Sequence, residues 1–180
     1  VVATSVVETF APSLPPLEVT PPWEQIRDHL RSDRRRDVLD ALAMSLESPN
    51  VPIFDALREY AAPSFLPGTP VLVAVRNLVT RIFHDFRYDS GATDLSTPLA
   101  DVLENRHGVC QDFAHLGIAC LRSLGLPARY VSGYLRTRPP EGKPRLVGAD
   151  ASHAWFGVFS PGAGWVDFDP TNNVQPGEDH

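Results

Sequence analysis

A chain of 180 residues, 43% hydrophobic and 21% charged, is long enough for one domain with a sizeable core and too apolar for global disorder. Its net charge of −6 argues against a nucleic-acid surface, because phosphate binding needs a basic stripe. No apolar run approaches the roughly 18 residues of a membrane span, and no signal peptide is visible, so a cytoplasmic protein without a membrane partner is expected. The chain starts at Val1 without methionine, and an upstream segment is expected to precede it.

Residues 1–9 are β-branched and alternate loosely, which reads as one strand, and prolines at 12, 15, 16, 21 and 22 make an extended linker. Trp23, Ile26 and Leu30 then form an i, i+3, i+7 stripe behind Pro21-Pro22, predicting a short helix. Val38, Leu39, Leu42 and Leu46 mark a second helix over 37–46, broken at Ser48-Pro49-Asn50. A short helical segment spans 53–60. The strongest periodicity follows, with Val71, Val75, Leu78, Val79, Ile82 and Phe86 on one face of a long core helix.

After a polar loop at 89–97, Pro98 fits a first helical turn with Thr97 as its cap. Asn105 to Gly108 ends that helix, as residues tolerant of left-handed backbone. A further helix begins near Cys110 and carries Ala114, Gly117 and Ala119, small residues that let another element approach. Gly125 and Pro127 terminate it. Residues 128–136, 153–159 and 165–168 alternate as strands. A charged loop at 138–150 and a hairpin turn at 160–164 separate them, and the tail after Thr171 is expected to be loosely held. Helices first and an antiparallel sheet last define an α+β layout.

Three segments carry chemistry in order: Gly108-Val109-Cys110-Gln111-Asp112, Ser152-His153-Ala154-Trp155 and Trp165-Val166-Asp167-Phe168-Asp169-Pro170-Thr171. A thiol reacts as its thiolate, and the unpaired N–H groups and positive end of a helix favour an anion where Cys110 sits. The same N–H groups could hold an oxyanion, with Gly108 leaving room for substrate backbone. His153 is the candidate base, and Asp169 the carboxylate that fixes its tautomer. Equal arms about a turn centred on 162 would pair 153 with 171, so a bulge or longer loop is expected to bring Asp169 opposite His153.

Two cysteines make no disulfide framework. On one helix, Cys110 and Cys120 would stand about 15 Å apart along its axis, too far to bridge, and Cys120 reads as inert core. His107 and His115 flank Cys110, but without paired metal-ligand spacings a metal site there is not favoured.

These motifs resemble the bacterial branch of the transglutaminase-like superfamily. Residues 108–114 resemble its cysteine motif, 124–134 the helix-to-strand run that follows, 153–155 its histidine motif and 165–171 its aspartate motif. The resemblance implies a papain-like α+β core in which Cys110 is the nucleophile, His153 the general base and acid, and Asp169 the orienting carboxylate. Asp167 does not match the triad position. Tyr88 is the candidate second oxyanion or substrate contact, and Trp155 a candidate substrate contact. No cofactor and no metal requirement are implied.

The domain boundaries expected are 1–20 for a strand and linker ending a missing upstream β domain, 21–175 for the catalytic domain and 176–180 for a tail. The expected activity is cysteine-dependent acyl transfer on peptide or carboxamide bonds of a peptide or protein partner through a thioester. Hydrolysis is favoured over transfer to an amine. The alternative is a non-catalytic peptide-binding or scaffold module on the same fold. A thiol redox protein would need a resolving cysteine, and Cys120 is wrongly placed for that.

Overall fold

The computed structural model describes residues 8–10, 13, 16–91, 93, 94, 96–136, 141, 142, 146, 147 and 152–180. The strand expected over 1–9 and much of the 138–150 loop fall outside the described residues.

Among the described residues, six α-helices precede the main sheet: α1 (Trp23–Ser32), α2 (Arg36–Ala43), α3 (Asp55–Ala61), α4 (Val71–Asp85), α5 (Leu99–Asn105) and α6 (Cys110–Ser123). Proline sets three of the starts. Pro22, Pro70 and Pro98 occupy the N-cap positions of α1, α4 and α5 with extended backbone. They forfeit no hydrogen bond there, because a helix start leaves its first N–H groups unpaired. The α4 stripe is buried throughout: Val71, Val75, Leu78, Val79 and Ile82 within the helix, and Phe86 just beyond its end with extended backbone.

The prediction for α2 overran. The helix ends at Ala43, with Val38 and Ala41 buried, while Leu39 and Leu46 are exposed. One apolar stripe served two segments, only the first of which is helical. Thr97 does not cap α5 either. Its hydroxyl accepts from the Asp94 N–H and closes the preceding turn. The left-handed residue ending α5 is Arg106 (φ 57°), where asparagine or glycine was expected. Its guanidinium lies 4.8 Å from the ring centroids of both Tyr60 and Phe86, so cation–π packing holds the strained turn.

Two short parallel strands, β1 (Arg87–Tyr88) and β2 (His107–Gly108), flank α5. Arg87 N–H donates to Arg106 O (2.8 Å) and Asp89 N–H to Gly108 O (2.9 Å). This ladder fixes Tyr88 opposite Gly108, two residues before Cys110.

The main sheet is antiparallel in the order β3 (Ala128–Tyr134), β4 (Ser152–Ser160), β5 (Gly164–Phe168). Helix α6 packs on β4 and β3 from one side and on α3 and α5 from the other. Gly117 is the reason it can come close: a Cβ there would strike the Phe156 ring of β4, with Cδ1 at 2.9 Å. Arg122 locks the far end of α6, donating to Ala128 O (2.9 Å) at the start of β3 and to Leu46 O (2.7 Å) in the loop after α2.

Candidate active site

The cysteine is placed by the cap of its helix. Val109 has no side-chain acceptor, so the α6 start is closed by Asp112, whose Oδ2 accepts from Val109 N–H (2.8 Å) and from Thr93 Oγ1–H (2.6 Å). This is the returning half of a capping box. Gly108 has a second reason to be small: an added Cβ would sit 2.7 Å from that same carboxylate oxygen. Cys110 then occupies the first helical position, half-buried, beside N–H groups that have no intrahelical acceptor. Cys120 is fully buried on the same helix, both thiols are free, and burial pushes the Cys120 thiol up to about 12.

The imidazole and the carboxylate come from the β4–β5 hairpin. Its register runs from Ser160↔Gly164 to Phe156↔Phe168 without a bulge, contrary to the correction expected from the sequence. Asp169, one residue beyond β5, reaches His153 diagonally, and His153 Nε2 meets Asp169 Oδ2 at 2.9 Å with both side chains sealed from solvent.

Asp169 is saturated with donors. Its Oδ1 accepts from Thr171 N–H (2.9 Å) and Asn172 N–H (3.3 Å), and its Oδ2 also accepts from Asn172 Nδ2–H (2.7 Å). Burial alone would raise the Asp169 pKa, but the bonds from His153, His180 and Asn172 hold it down at about 2. For His153, burial works against the charged form. The Asp169 hydrogen bond, the approach of Cys110 and the charges of both outweigh it and push the ring up to about 9. Among the described residues, His153 Nδ1 has no partner of full hydrogen-bond geometry. Cys110 therefore stands as a close neighbour of the ring, short of a formed bond.

Aromatic side chains surround this centre. Trp155 is buried (6% exposed), stacks on the His153 ring (centroids 6.0 Å, 29°) and donates Nε1–H to Asp167 Oδ2 (3.3 Å). It thus backs the imidazole, and Asp167 serves the indole. Gly133 on β3 admits that indole, since a Cβ there would meet Trp155 Cη2 at 2.5 Å. Tyr88 and Tyr130 flank the cysteine from β1 and β3. Burial first and then the nearby Cys110 raise both phenol pKa values. Tyr130 was missed in the sequence, although its place in the 124–134 run could have drawn attention to it.

His107 lies on β2, while His115 packs on Tyr130 (5.1 Å) and, with Gln111 and Asp112, lines a cavity of about 440 Å³ bounded also by Asn50, Phe54 and Pro98. Neither belongs to the one His/Cys/Asp/Glu cluster of metal-ligating geometry among the described residues, which is His153, Asp169 and His180. The expectation of a loose tail fails at the same place. Asp169 and Val174 exchange backbone hydrogen bonds, and His180 Nε2 returns to Asp169 Oδ2 at 3.1 Å.

A cysteine helix packed on an antiparallel sheet, with histidine and aspartate on a hairpin, is a papain-like α+β arrangement. The sequence profile of the transglutaminase-like superfamily matches residues 58–170, and the chain belongs to that superfamily, whose chemistry is cysteine-dependent acyl transfer. An uncharacterized protein of Mycobacterium tuberculosis is 49% identical over 156 residues, covering 84% of this chain and 48% of the relative. The chain thus spans about half the length of that relative. A solved structure from Cytophaga hutchinsonii, described as a candidate cysteine protease, is 31% identical with a TM-score of 0.59 over 78% of this chain and 46% of the other. The protein-glutamine gamma-glutamyltransferase of Pseudomonas aeruginosa is 34% identical over 107 residues, 55% of this chain and 16% of that protein. No helix among the described residues is long and apolar enough to cross a membrane.

Proposed function

We propose that this domain is a cysteine-dependent acyl-transfer enzyme that cleaves peptide or carboxamide bonds. The reading rests on one observation: the His153 ring is held by a buried carboxylate on one nitrogen and approached by the helix-start thiol of Cys110. In this mechanism His153 takes the thiol proton, and the sulfur forms a bond to the carbonyl carbon. The oxyanion is held by N–H groups at the α6 start, with Tyr88 beside them. His153 then returns the proton to the leaving amine as the carbon–nitrogen bond breaks, leaving a thioester. Asp169 keeps the ring in the required tautomer throughout.

Water resolves the thioester in our reading, in keeping with the likeness to a candidate cysteine protease. Transfer to an amine is the second reading, motivated by the likeness to a glutamyltransferase.

Iodoacetamide alkylation, followed by peptide mass in the wild type and in His153→Ala, tests this. Cys110 should react far faster in the wild type than in the variant, while the buried Cys120 stays slow in both. Equal Cys110 rates in both proteins would defeat the proposal. Product analysis of a glutamine-containing peptide, with and without an added alkylamine, separates the two outcomes: ammonia with free acid for hydrolysis, or the secondary amide for transfer.

A further inference from the structure

We infer that His153, Asp169 and His180 form a binding site for a divalent cation of the zinc class, and that a cation seated there switches the active site off. The site is built around a single oxygen. His153 Nε2 and His180 Nε2 both aim at Asp169 Oδ2, at 2.9 and 3.1 Å, and all three ligand atoms lie within 4.8 Å of one another. Orienting His153 requires one acceptor and no second imidazole. His180 is nevertheless drawn in from the segment after β5 and buried (side chain 4% exposed), with its ring set edge-on against Trp155 at 5.3 Å. Among the described residues its Nδ1 has no partner, and Nε2 is the atom that ties it to the centre.

The donor set selects the ion. Two imidazole nitrogens and one carboxylate oxygen suit Zn²⁺, and Mg²⁺ or Ca²⁺ would want oxygen throughout. The surroundings meet a second requirement of such sites, that the ligating carboxylate be fixed by outer hydrogen bonds, here from Thr171 N–H and from Asn172. Three protein ligands leave a fourth position for water.

Coordination has a definite effect on the chemistry. Nε2 of each ring gives up its proton, and one proton per ring remains on Nδ1; any beyond that passes to solvent. His153 then presents an N–H toward Cys110. It cannot accept the thiol proton, and it can donate to a leaving amine only by becoming a metal-bound imidazolate. Base and acid are both disabled, without any bond to the sulfur. This consequence rests on the acyl-transfer reading, whereas the site does not.

Equilibrium dialysis of the full chain against Zn²⁺, with Co²⁺ absorption as a second readout, tests the site in the wild type, Cys110→Ser, His180→Ala and His180→Gln. The wild type and the serine variant should each take up a single ion, with Co²⁺ giving the strong visible bands of a four-coordinate N/O site. Both His180 variants should bind at least about tenfold more weakly. The glutamine variant retains a donor for Asp169, and near-UV circular dichroism of both variants separates loss of a ligand from unfolding. Binding that survives in both His180 variants but vanishes in Cys110→Ser would put the ion on the thiol and overturn the site, as would the absence of saturable uptake. Zn²⁺ should also slow Cys110 alkylation in the wild type, with recovery on adding a chelator; unchanged alkylation at saturation would overturn the switch. A protein that binds Zn²⁺ as stated yet shows no His153-dependent alkylation would keep the site and lose the acyl-transfer reading.

Discussion

His153 and Asp169 meet on a diagonal of the β4–β5 hairpin, two residues out of register. Extending the observed ladder pairs 153 with 171 and 155 with 169, yet the carboxylate reaches back to the imidazole at 2.9 Å. The same offset recurs one step along, where Trp155 donates to Asp167 although Asp167 pairs with Gly157. Diagonal neighbours lie within reach of long side chains, so no bulge is needed. The absence of a side chain at Gly157 leaves room for this: a Cβ there would meet Asp167 Oδ1 at 2.5 Å.

The pair sets a pH window for stability in metal-free protein. Asp169 falls from 3.8 to about 2 on folding, so its contribution is present above pH 4 and is lost as pH falls through about 2. His153 rises from 6.5 to about 9, so its contribution is full below pH 6.5 and is lost as pH rises through about 9. Denaturant unfolding of wild type and Asp169→Asn should therefore show the widest gap between about pH 4 and 6.5, narrowing on both sides. The acid limb amounts to roughly 2 kcal/mol. A gap independent of pH would refute the assignment.

Gly117→Ala should destabilise the fold by about 1–3 kcal/mol, against the usual gain for alanine in a helix, because the methyl meets the Phe156 ring. Since α6 carries the thiol and β4 the imidazole, the variant should also lose part of the His153-dependent alkylation of Cys110. Thermal unfolding no worse than wild type would mean that the ring can yield.

Asp112→Ala removes the acceptor for Val109 N–H and Thr93 Oγ1–H. A loss of about 0.5–2 kcal/mol is expected. Asp112→Asn, which keeps an oxygen for the N–H, should recover most of it. Calorimetry showing the two variants equally destabilised would argue that charge, and not the cap, is what matters.

Arg122→Met leaves Ala128 O and Leu46 O without their donor. A loss of about 2–4 kcal/mol is expected from two stranded carbonyls, measured as a lower urea midpoint at unchanged m-value. A shift under about 0.5 kcal/mol would show that water replaces the guanidinium at both.

What could be read in the sequence was what repeats or recurs. The α4 stripe, the α6 helix and the hairpin each announce themselves over several residues, and the motifs around Cys110, His153 and Asp169 point to side chains that the structure brings together. Contacts decided by a single residue did not show. The two-residue β1–β2 ladder has no periodicity to detect, and the left-handed turn at Arg106 breaks the preference for glycine because aromatic rings support it. The roles of Asp112 and His180 depend on what lies opposite them in space. Leu39 and Leu46 misled because an apolar stripe records spacing and not burial.

The hairpin has a consequence for the order in which the protein assembles. His153 and Asp169 are 16 residues apart in the chain, joined through one tight turn, whereas Cys110 reaches the hairpin only when α6 docks through Gly117 and Phe156. Short loops close at smaller entropic cost, so the imidazole and carboxylate can pair while the thiol is still elsewhere. The nascent chain thereby carries an unpartnered cysteine until α6 docks, and its acquisition of reactivity should coincide with that docking. Pulsed alkylation during refolding would register this as His153-dependent labelling that rises with burial of Cys120, and never ahead of it.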